Sequence, residues 1–116
     1  MKKKNKKAQL KRKKEFRYHK IETFRHDGKK KTIRHPAYVF LEKGNIYIYV
    51  SLTHSNELDN LLLIKLSRNP NPKDNRDSYI ISEIREDTVD RFSTKIDDWS
   101  MNPTDDLMIR NLFDKK

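Results

Sequence analysis

Two apolar segments joined by a tight-turn sequence restrict this chain to a β-rich fold more strongly than any other feature. Residues 37–41 and residues 46–52 are rich in β-branched and aromatic side chains, which favour strands. Between them lies Lys43-Gly44-Asn45, which has the Gly and Asn chemistry that hairpin turns need. The sequence therefore predicts two strands joined as a hairpin.

Downstream segments extend the β pattern. Residues 61–66 and 78–84 predict a third and a fourth strand, and residues 89–92 predict a short fifth one. The intervening segment, residues 67–77, carries an Asn-Pro-Asn-Pro sequence and is predicted to be a loop.

A helix is predicted at the C-terminal end. Asn102-Pro103-Thr104-Asp105 is typical of a helix start, and apolar residues at helical spacing follow to about residue 115. Four or five short strands with a terminal helix predict a mainly β fold, a small SH3-like antiparallel barrel with a C-terminal helix.

Positive charge is concentrated at the N-terminal end. Residues 1–31 contain fifteen Lys or Arg and three acidic residues, a net charge of +12, whereas residues 32–116 have a net charge of −2. We therefore predict a basic, flexible arm over 1–31 and a barrel domain over 32–116. A second possibility is a hairpin that pairs residues 21–25 with residues 30–34 around Asp27-Gly28. Such a basic segment indicates a polyanionic partner, either nucleic acid or an anionic membrane surface.

Composition excludes several classes of function. The chain has no Cys and only two Gly, so disulfides, thiolate metal sites and Gly-rich phosphate loops are excluded. The four His are not at metal-ligand spacing, and we expect neither a metal nor another cofactor. No apolar run is long enough for a membrane span, and no apolar signal core follows the basic start. We expect a cytoplasmic protein that does not bind membranes.

Two polar clusters flank the predicted hairpin strands. The first is Ile33-Arg34-His35-Pro36 and the second is Ser51-Leu52-Thr53-His54-Ser55. Together they would supply a guanidinium, imidazoles and hydroxyls. Cleavage of RNA by its own 2′-hydroxyl needs a base, an acid and a cation, and it needs no metal. In the structural alternative, the first cluster merely ends the basic segment and the second caps a turn.

Two further features have two interpretations each. Arg85 could contact RNA or pair with nearby acidic residues, and the residues alone favour ion pairing. Tyr47 and Tyr49 share one face of the second strand. That face is either a platform for base stacking or part of the core.

In this order, the clusters resemble the MazF/PemK toxin family. That family has an Arg-Pro before an apolar strand, and then a strand that ends in an Ile-Thr-Ser-like turn. A Gln/Glu-Ile-Arg strand, an Asp, an Arg-Leu-like pair and a C-terminal helix follow. The matching segments here are residues 34–40, Leu52-Thr53-His54-Ser55, Ser82-Glu83-Ile84-Arg85 with Asp90-Arg91-Phe92, and residues 93–113.

The resemblance implies an SH3-like barrel, usually a homodimer, that cleaves single-stranded RNA and is neutralised by a cognate antitoxin. It implies that Arg34 is the catalytic cation and acid and that Thr53 is the hydroxyl partner at the scissile phosphate. His35 separates Arg34 from Pro36 and is the other candidate for the Arg position, because an imidazole can act as acid or base near neutral pH. The family's N-terminal strand and Gly-rich loop are not recognisable here.

We therefore predict a metal-independent endoribonuclease toxin in which Arg34, His35 and Thr53 are catalytic. The residues predicted to bind RNA are His54, Ser55, Arg85, Lys11, Arg12, Lys13 and Lys14. The alternatives are a non-catalytic nucleic-acid-binding module that uses the basic arm and an inhibitor that binds a host protein.

Overall fold

Strands and a single C-terminal helix make up the regular structure in a computed structural model, which describes residues 9–54 and 62–115. The elements are β1 (Leu10–Phe24), β2 (Lys30–Lys43), β3 (Ile46–Thr53), β4 (Leu63–Lys65), β5 (Tyr79–Ile81), β6 (Arg85–Thr88) and α1 (Pro103–Asp114). The predicted mainly β class with a C-terminal helix is therefore confirmed.

All strand pairs are antiparallel, and β3 lies at the centre of the sheet. The hydrogen-bonded order is β1-β2-β3-β5-β4, and β6 also pairs with β3. Within residues 9–54 and 62–115 these pairings do not join β4 to β1, so the sheet is open where the sequence predicts a closed barrel.

The basic N-terminal segment forms part of this sheet. β1 pairs with β2 from Leu10 opposite Lys43 to Phe24 opposite Lys30, and the turn contains Gly28 at a φ of +82°. The predicted hairpin of residues 21–25 with 30–34 is thus confirmed. The predicted flexible arm is wrong for residues 10–24, because β1 pairs with β2 on both sides of an irregularity between Arg12 and Glu15 and buries the Phe16 ring. Residues 1–8 lie outside the described part.

Both faces of the central strands are buried. One face of β2 and β3 packs under α1, and the other packs against Phe92. Tyr47 and Tyr49 belong to the second cluster and are at most 8% exposed. They are therefore core residues, and the base-stacking interpretation of their face is wrong.

The structure divides the segment 78–92 differently from the two strands that the sequence predicts there. The predicted strand 78–84 is interrupted at 82–84, which separates β5 from β6. Residues 89–91, predicted as a strand, form a 3-10 turn in which the Phe92 N–H donates to the Val89 carbonyl at 3.1 Å. The turn brings Phe92 into the second cluster, where its ring lies 5.2 Å from that of Tyr49.

A buried polar network fixes α1 to the first two strands. The Tyr38 hydroxyl donates to Asp106 Oδ1 at 2.5 Å, and Arg110 Nε donates to Asp106 Oδ2 at 2.9 Å. The same guanidinium donates to the carbonyls of Phe40 and Lys13 at 2.9 and 2.7 Å. Burial alone would raise the pKa of Asp106, but the hydrogen bonds from Arg110 and Tyr38 outweigh it and lower this pKa below its usual value.

Replacing Phe16 tests whether β1 belongs to the core. Phe16 is 1% exposed, and its ring centroid lies 4.8 Å from that of Tyr38. We expect Phe16→Ala to lower the free energy of unfolding by about 3–5 kcal/mol in urea denaturation. Leu10→Ala is the control, because Leu10 is 50% exposed in the same strand and should change stability by less than about 1 kcal/mol. If the two substitutions lowered the free energy of unfolding equally, β1 would not be packed against the core at Phe16.

The lowered pKa of Asp106 predicts a specific dependence of stability on pH. A carboxyl whose pKa is lower in the folded state stabilises the fold above its unfolded pKa of about 3.9, and this contribution is lost as pH falls through the folded pKa. Asp106→Asn should therefore destabilise the protein at pH 7 and much less at pH 3. The control is Asp98→Asn, at an exposed carboxyl, which should be nearly neutral at both. A destabilisation by Asp106→Asn that is independent of pH would contradict the prediction.

Candidate active site

A cavity of about 180 Å³ lies where β2 and β3 approach the loop before β5. Ala37 pairs with Ser51, so two residues further along each strand His35 and Thr53 reach the same end of the pair. The cavity is lined by His35, Pro36, Leu52, Thr53, His54, Asn69, Ser78 and Trp99. The structure thus brings together residues from the two polar clusters of the sequence.

His35 supplies an imidazole that is available to a ligand. Its side chain is exposed at the cavity, and within the described ranges it makes no hydrogen bond or ion pair. A neutral imidazole has one nitrogen that donates and one that accepts. A ligand can therefore contact the His35 ring without breaking a contact within the described protein.

His54 is held in place at both ring nitrogens. Nδ1 lies 3.2 Å from the Asp77 carbonyl oxygen, and Nε2 lies 3.3 Å from Asp74 Oδ2. A carbonyl and a carboxylate only accept hydrogen bonds, so both contacts are satisfied when His54 is an imidazolium. Hydrogen bonds from Arg76 hold the pKa of Asp74 well below its usual range, which keeps the partner of His54 ionised.

Three of the lining residues were not predicted from the sequence. Ser78 is 2% exposed, and no group in the described ranges hydrogen-bonds its hydroxyl, although buried hydroxyls usually have a partner. Asn69 is fixed by donating to the Arg76 carbonyl at 3.0 Å and accepting from the Asn71 N–H at 2.9 Å. Trp99 closes one side. The Asn-Pro-Asn-Pro sequence was the one available signal for the loop that carries Asn69.

Arg34, the predicted catalytic cation, does not line the cavity. On β2 the residues that line the cavity are His35 and Pro36. Arg34 is exposed, with Lys20 as its neighbour on β1. The structure therefore assigns the position beside Thr53 to His35. Ser55 lies outside the described residues.

Arg85 also lies away from the cavity. It pairs with Tyr49, which lies four residues before Thr53 on β3, or about 13 Å along the strand. Its guanidinium lies 3.6 Å from Glu83, and both side chains are exposed. The ion-pair interpretation is confirmed for Arg85.

The basic residues at 11–14 lie at the far end of the same hairpin. Arg12 pairs with Leu41, which lies six residues along β2 from His35, or about 20 Å. Lys13 forms an ion pair with Glu42 at 3.1 Å, and that hydrogen bond is the main cause of its raised pKa. Lys11, Arg12 and Lys14 are exposed. These residues are therefore not part of the cavity.

A third, buried histidine lies next to His35 on the neighbouring strand. His19 is the Cα partner of His35 and is 7% exposed, and its Nε2 lies 2.8 Å from Asp87 Oδ2. Its Nδ1 lies 3.3 Å from the Tyr49 hydroxyl. Burial raises the pKa of Asp87, but the hydrogen bonds from His19 and the Thr88 N–H outweigh it, and the net pKa is lowered. This pair joins β1 to β6 beside the site.

Comparison with protein-family models, with curated proteins and with solved structures found no match to this chain. In the described ranges, no group of three or more His, Cys, Asp or Glu could hold a metal ion. Over the same ranges, no helix has the length and apolar character needed to cross a membrane.

Chemical modification distinguishes the two neighbouring histidines. We expect diethyl pyrocarbonate to modify His35 about as fast as the exposed His26 and to modify His19 much more slowly, because His19 is buried and bonded to Asp87. Mass spectrometry of peptides at successive times gives the rates. Asp87→Ala should increase the rate at His19 and leave the rate at His26 unchanged. Rapid modification of His19 in the unaltered protein would contradict the buried pair.

Proposed function

We propose that this protein is an endoribonuclease that cleaves single-stranded RNA without a metal ion and that the cavity is its active site. The observation that carries the proposal is that two imidazoles, His35 and His54, and the Thr53 hydroxyl line one cavity. Two histidines on one cavity supply the base and the acid that attack by the 2′-hydroxyl requires.

The free ring of His35 is suited to be the base. In the proposed reaction it takes the proton of the 2′-hydroxyl, and the 2′-oxygen attacks the adjacent phosphorus. The bond from phosphorus to the 5′-oxygen breaks, which leaves a 2′,3′-cyclic phosphate on one fragment. The 5′-oxygen takes the Nε2 proton of His54, whose N–H leaves its contact with Asp74 in this step. Afterwards His35 gives its proton to solvent, and His54 takes one up from solvent.

His54 is suited to be the acid and the cation. Both of its ring nitrogens face acceptors, at the Asp77 carbonyl and at Asp74. A positive charge held at the cavity stabilises the negative charge that develops on the phosphorane oxygens. In this proposal His54 takes the electrostatic role that the MazF/PemK resemblance gives to Arg34, and Thr53 positions a phosphate oxygen.

The finer proposal is a toxin of the MazF/PemK type, with a homodimeric state and a cognate antitoxin. It is supported by the order of the sequence clusters and by the meeting of two of them at the cavity. The net charge of +10 supports RNA as the ligand, because cationic side chains release counterions when they bind phosphates.

A non-catalytic nucleic-acid-binding module is the second candidate. The observation that favours it is that Lys11, Arg12 and Lys14 are exposed about 20 Å from the cavity. In such a module, substitutions at the cavity would leave RNA binding unchanged, and no RNA would be cut.

Incubation with a long single-stranded RNA in EDTA tests the nuclease. We expect discrete cuts with 2′,3′-cyclic phosphate ends from the unaltered protein. His35→Ala and His54→Ala should each lower the cleavage rate by about 10²- to 10⁴-fold, because each removes a proton-transfer group. Thr53→Val keeps the side-chain shape, and we expect it to slow cleavage without changing the cut sites.

Arg34→Ala is the matched control, because it changes the residue next to His35 that does not line the cavity. We expect nearly unchanged cleavage. A large loss with Arg34→Ala and none with His35→Ala would assign the catalytic position to Arg34 and overturn this site. Intact RNA that is retarded on a native gel would favour the binding module.

A further inference from the structure

The outer half of the β1–β2 hairpin extends beyond the rest of the sheet. β3 pairs with β2 only over residues 37–43, and the backbone hydrogen bonds and the bridge between the segment 92–96 and β1 fall at residues 16–19. Within the described ranges, residues 20–34 are paired only with one another. They form a projecting two-stranded ribbon, which we call the hairpin arm.

The hairpin arm combines positive charge with an exposed aromatic ring. It contains six Lys or Arg and two acidic residues, a net charge of +4. Phe24, near its tip, is 71% exposed. A groove of about 480 Å³ on the arm is lined by Thr23, Phe24, Arg25, His26, Asp27, Lys31 and Ile33.

The cations of the hairpin arm are available to a ligand. Arg25 lies 3.9 Å from Asp27, and Lys30 lies 3.9 Å from Glu22. Both pairs are exposed and long, and such pairs contribute little. Lys31 forms no ion pair within the described ranges. With Arg25 and Lys31 against Asp27 in its lining, the groove therefore has a net positive charge beside Phe24.

Residues of both the groove and the cavity lie on one face of β2. Alternation places Lys31, Ile33 and His35 on the same face of β2, and Lys31 and His35 are about 13 Å apart. A strand of RNA with its scissile phosphate at His35 could therefore reach the groove with a neighbouring nucleotide.

We propose that the groove on the hairpin arm binds single-stranded RNA next to the cleavage site, with one base stacked on Phe24 and phosphates at Arg25 and Lys31. The identification of the polymer as RNA rests on the proposed function. A single strand is the occupant because stacking on an exposed ring needs an unpaired base. The positive charge matches a phosphate backbone.

Binding of a 2′-O-methyl RNA oligonucleotide tests the proposal separately from cleavage, because this probe lacks the 2′-hydroxyl nucleophile. We expect Phe24→Ala to weaken binding by about 5- to 100-fold in fluorescence anisotropy, the range for loss of one stacked base. Phe24→Trp keeps an aromatic ring and should bind the oligonucleotide about as tightly as the unaltered protein does. Lys31→Ala should reduce the slope of log K against log salt by about 0.7, the value for one phosphate contact on a single strand.

Two control variants alter equivalent side chains elsewhere. Leu62→Ala removes an apolar side chain that is 74% exposed, and Lys43→Ala removes an exposed positive charge from the other end of β2. Leu62→Ala should leave affinity and salt slope unchanged. Lys43→Ala should lower the affinity much less than Phe24→Ala does.

The outcomes separate this inference from the proposed function. Unchanged binding by Phe24→Ala, or tighter binding of duplex DNA than of the oligonucleotide, would overturn the hairpin-arm site even if the protein cleaves RNA. If the protein cleaves no RNA but binding depends on Phe24, the nuclease proposal fails and the hairpin-arm site stands.

Discussion

The antiparallel register between β2 and β3 is the constraint on which the rest of the structure depends. With Ala37 opposite Ser51, the ends of the two strands place His35 and Thr53 beside one cavity. A slip by one residue would exchange the two faces of a strand and move its core side chains to the wrong side. Both faces are buried here, so the register is fixed twice, by the cluster under α1 and by the cluster around Phe92.

Much of this fold could be predicted from local sequence signals. The main error was to predict a flexible arm from the high positive charge of residues 1–31. Gly44 marked the β2–β3 hairpin, and Asn102 marked the start of α1, where its side chain accepts from the Thr104 N–H. β1 was missed because basic residues dominate its composition. Edge strands commonly carry Lys, however, and β1 is the edge of this sheet. Its buried Phe16 and His19 were the overlooked signals of a packed strand.

Only the residues that the β2–β3 hairpin contributes to the candidate site could be predicted from the sequence. His35, Thr53 and His54 lie at strand ends, so a hairpin was enough to suggest that they meet. Ser78 and Trp99 come from distant segments, and only tertiary packing brings them to the cavity. The choice between Arg34 and His35 needed the structure itself, in which His35 lines the cavity and Arg34 does not.

The size of the cavity indicates that, in the proposed enzyme, RNA is cleaved at one site and its sequence is recognised at another. At about 180 Å³, the cavity is smaller than the roughly 300 Å³ at which sites for small molecules usually begin. It has room for a phosphate and part of a ribose, and little room for a base. Selection among RNA sequences would then depend on contacts outside the cavity. The groove of about 480 Å³ on the hairpin arm is larger, is positively charged and carries an exposed ring. Changes at Phe24 should therefore alter which sites are cut, whereas changes at His35 should alter only how fast they are cut.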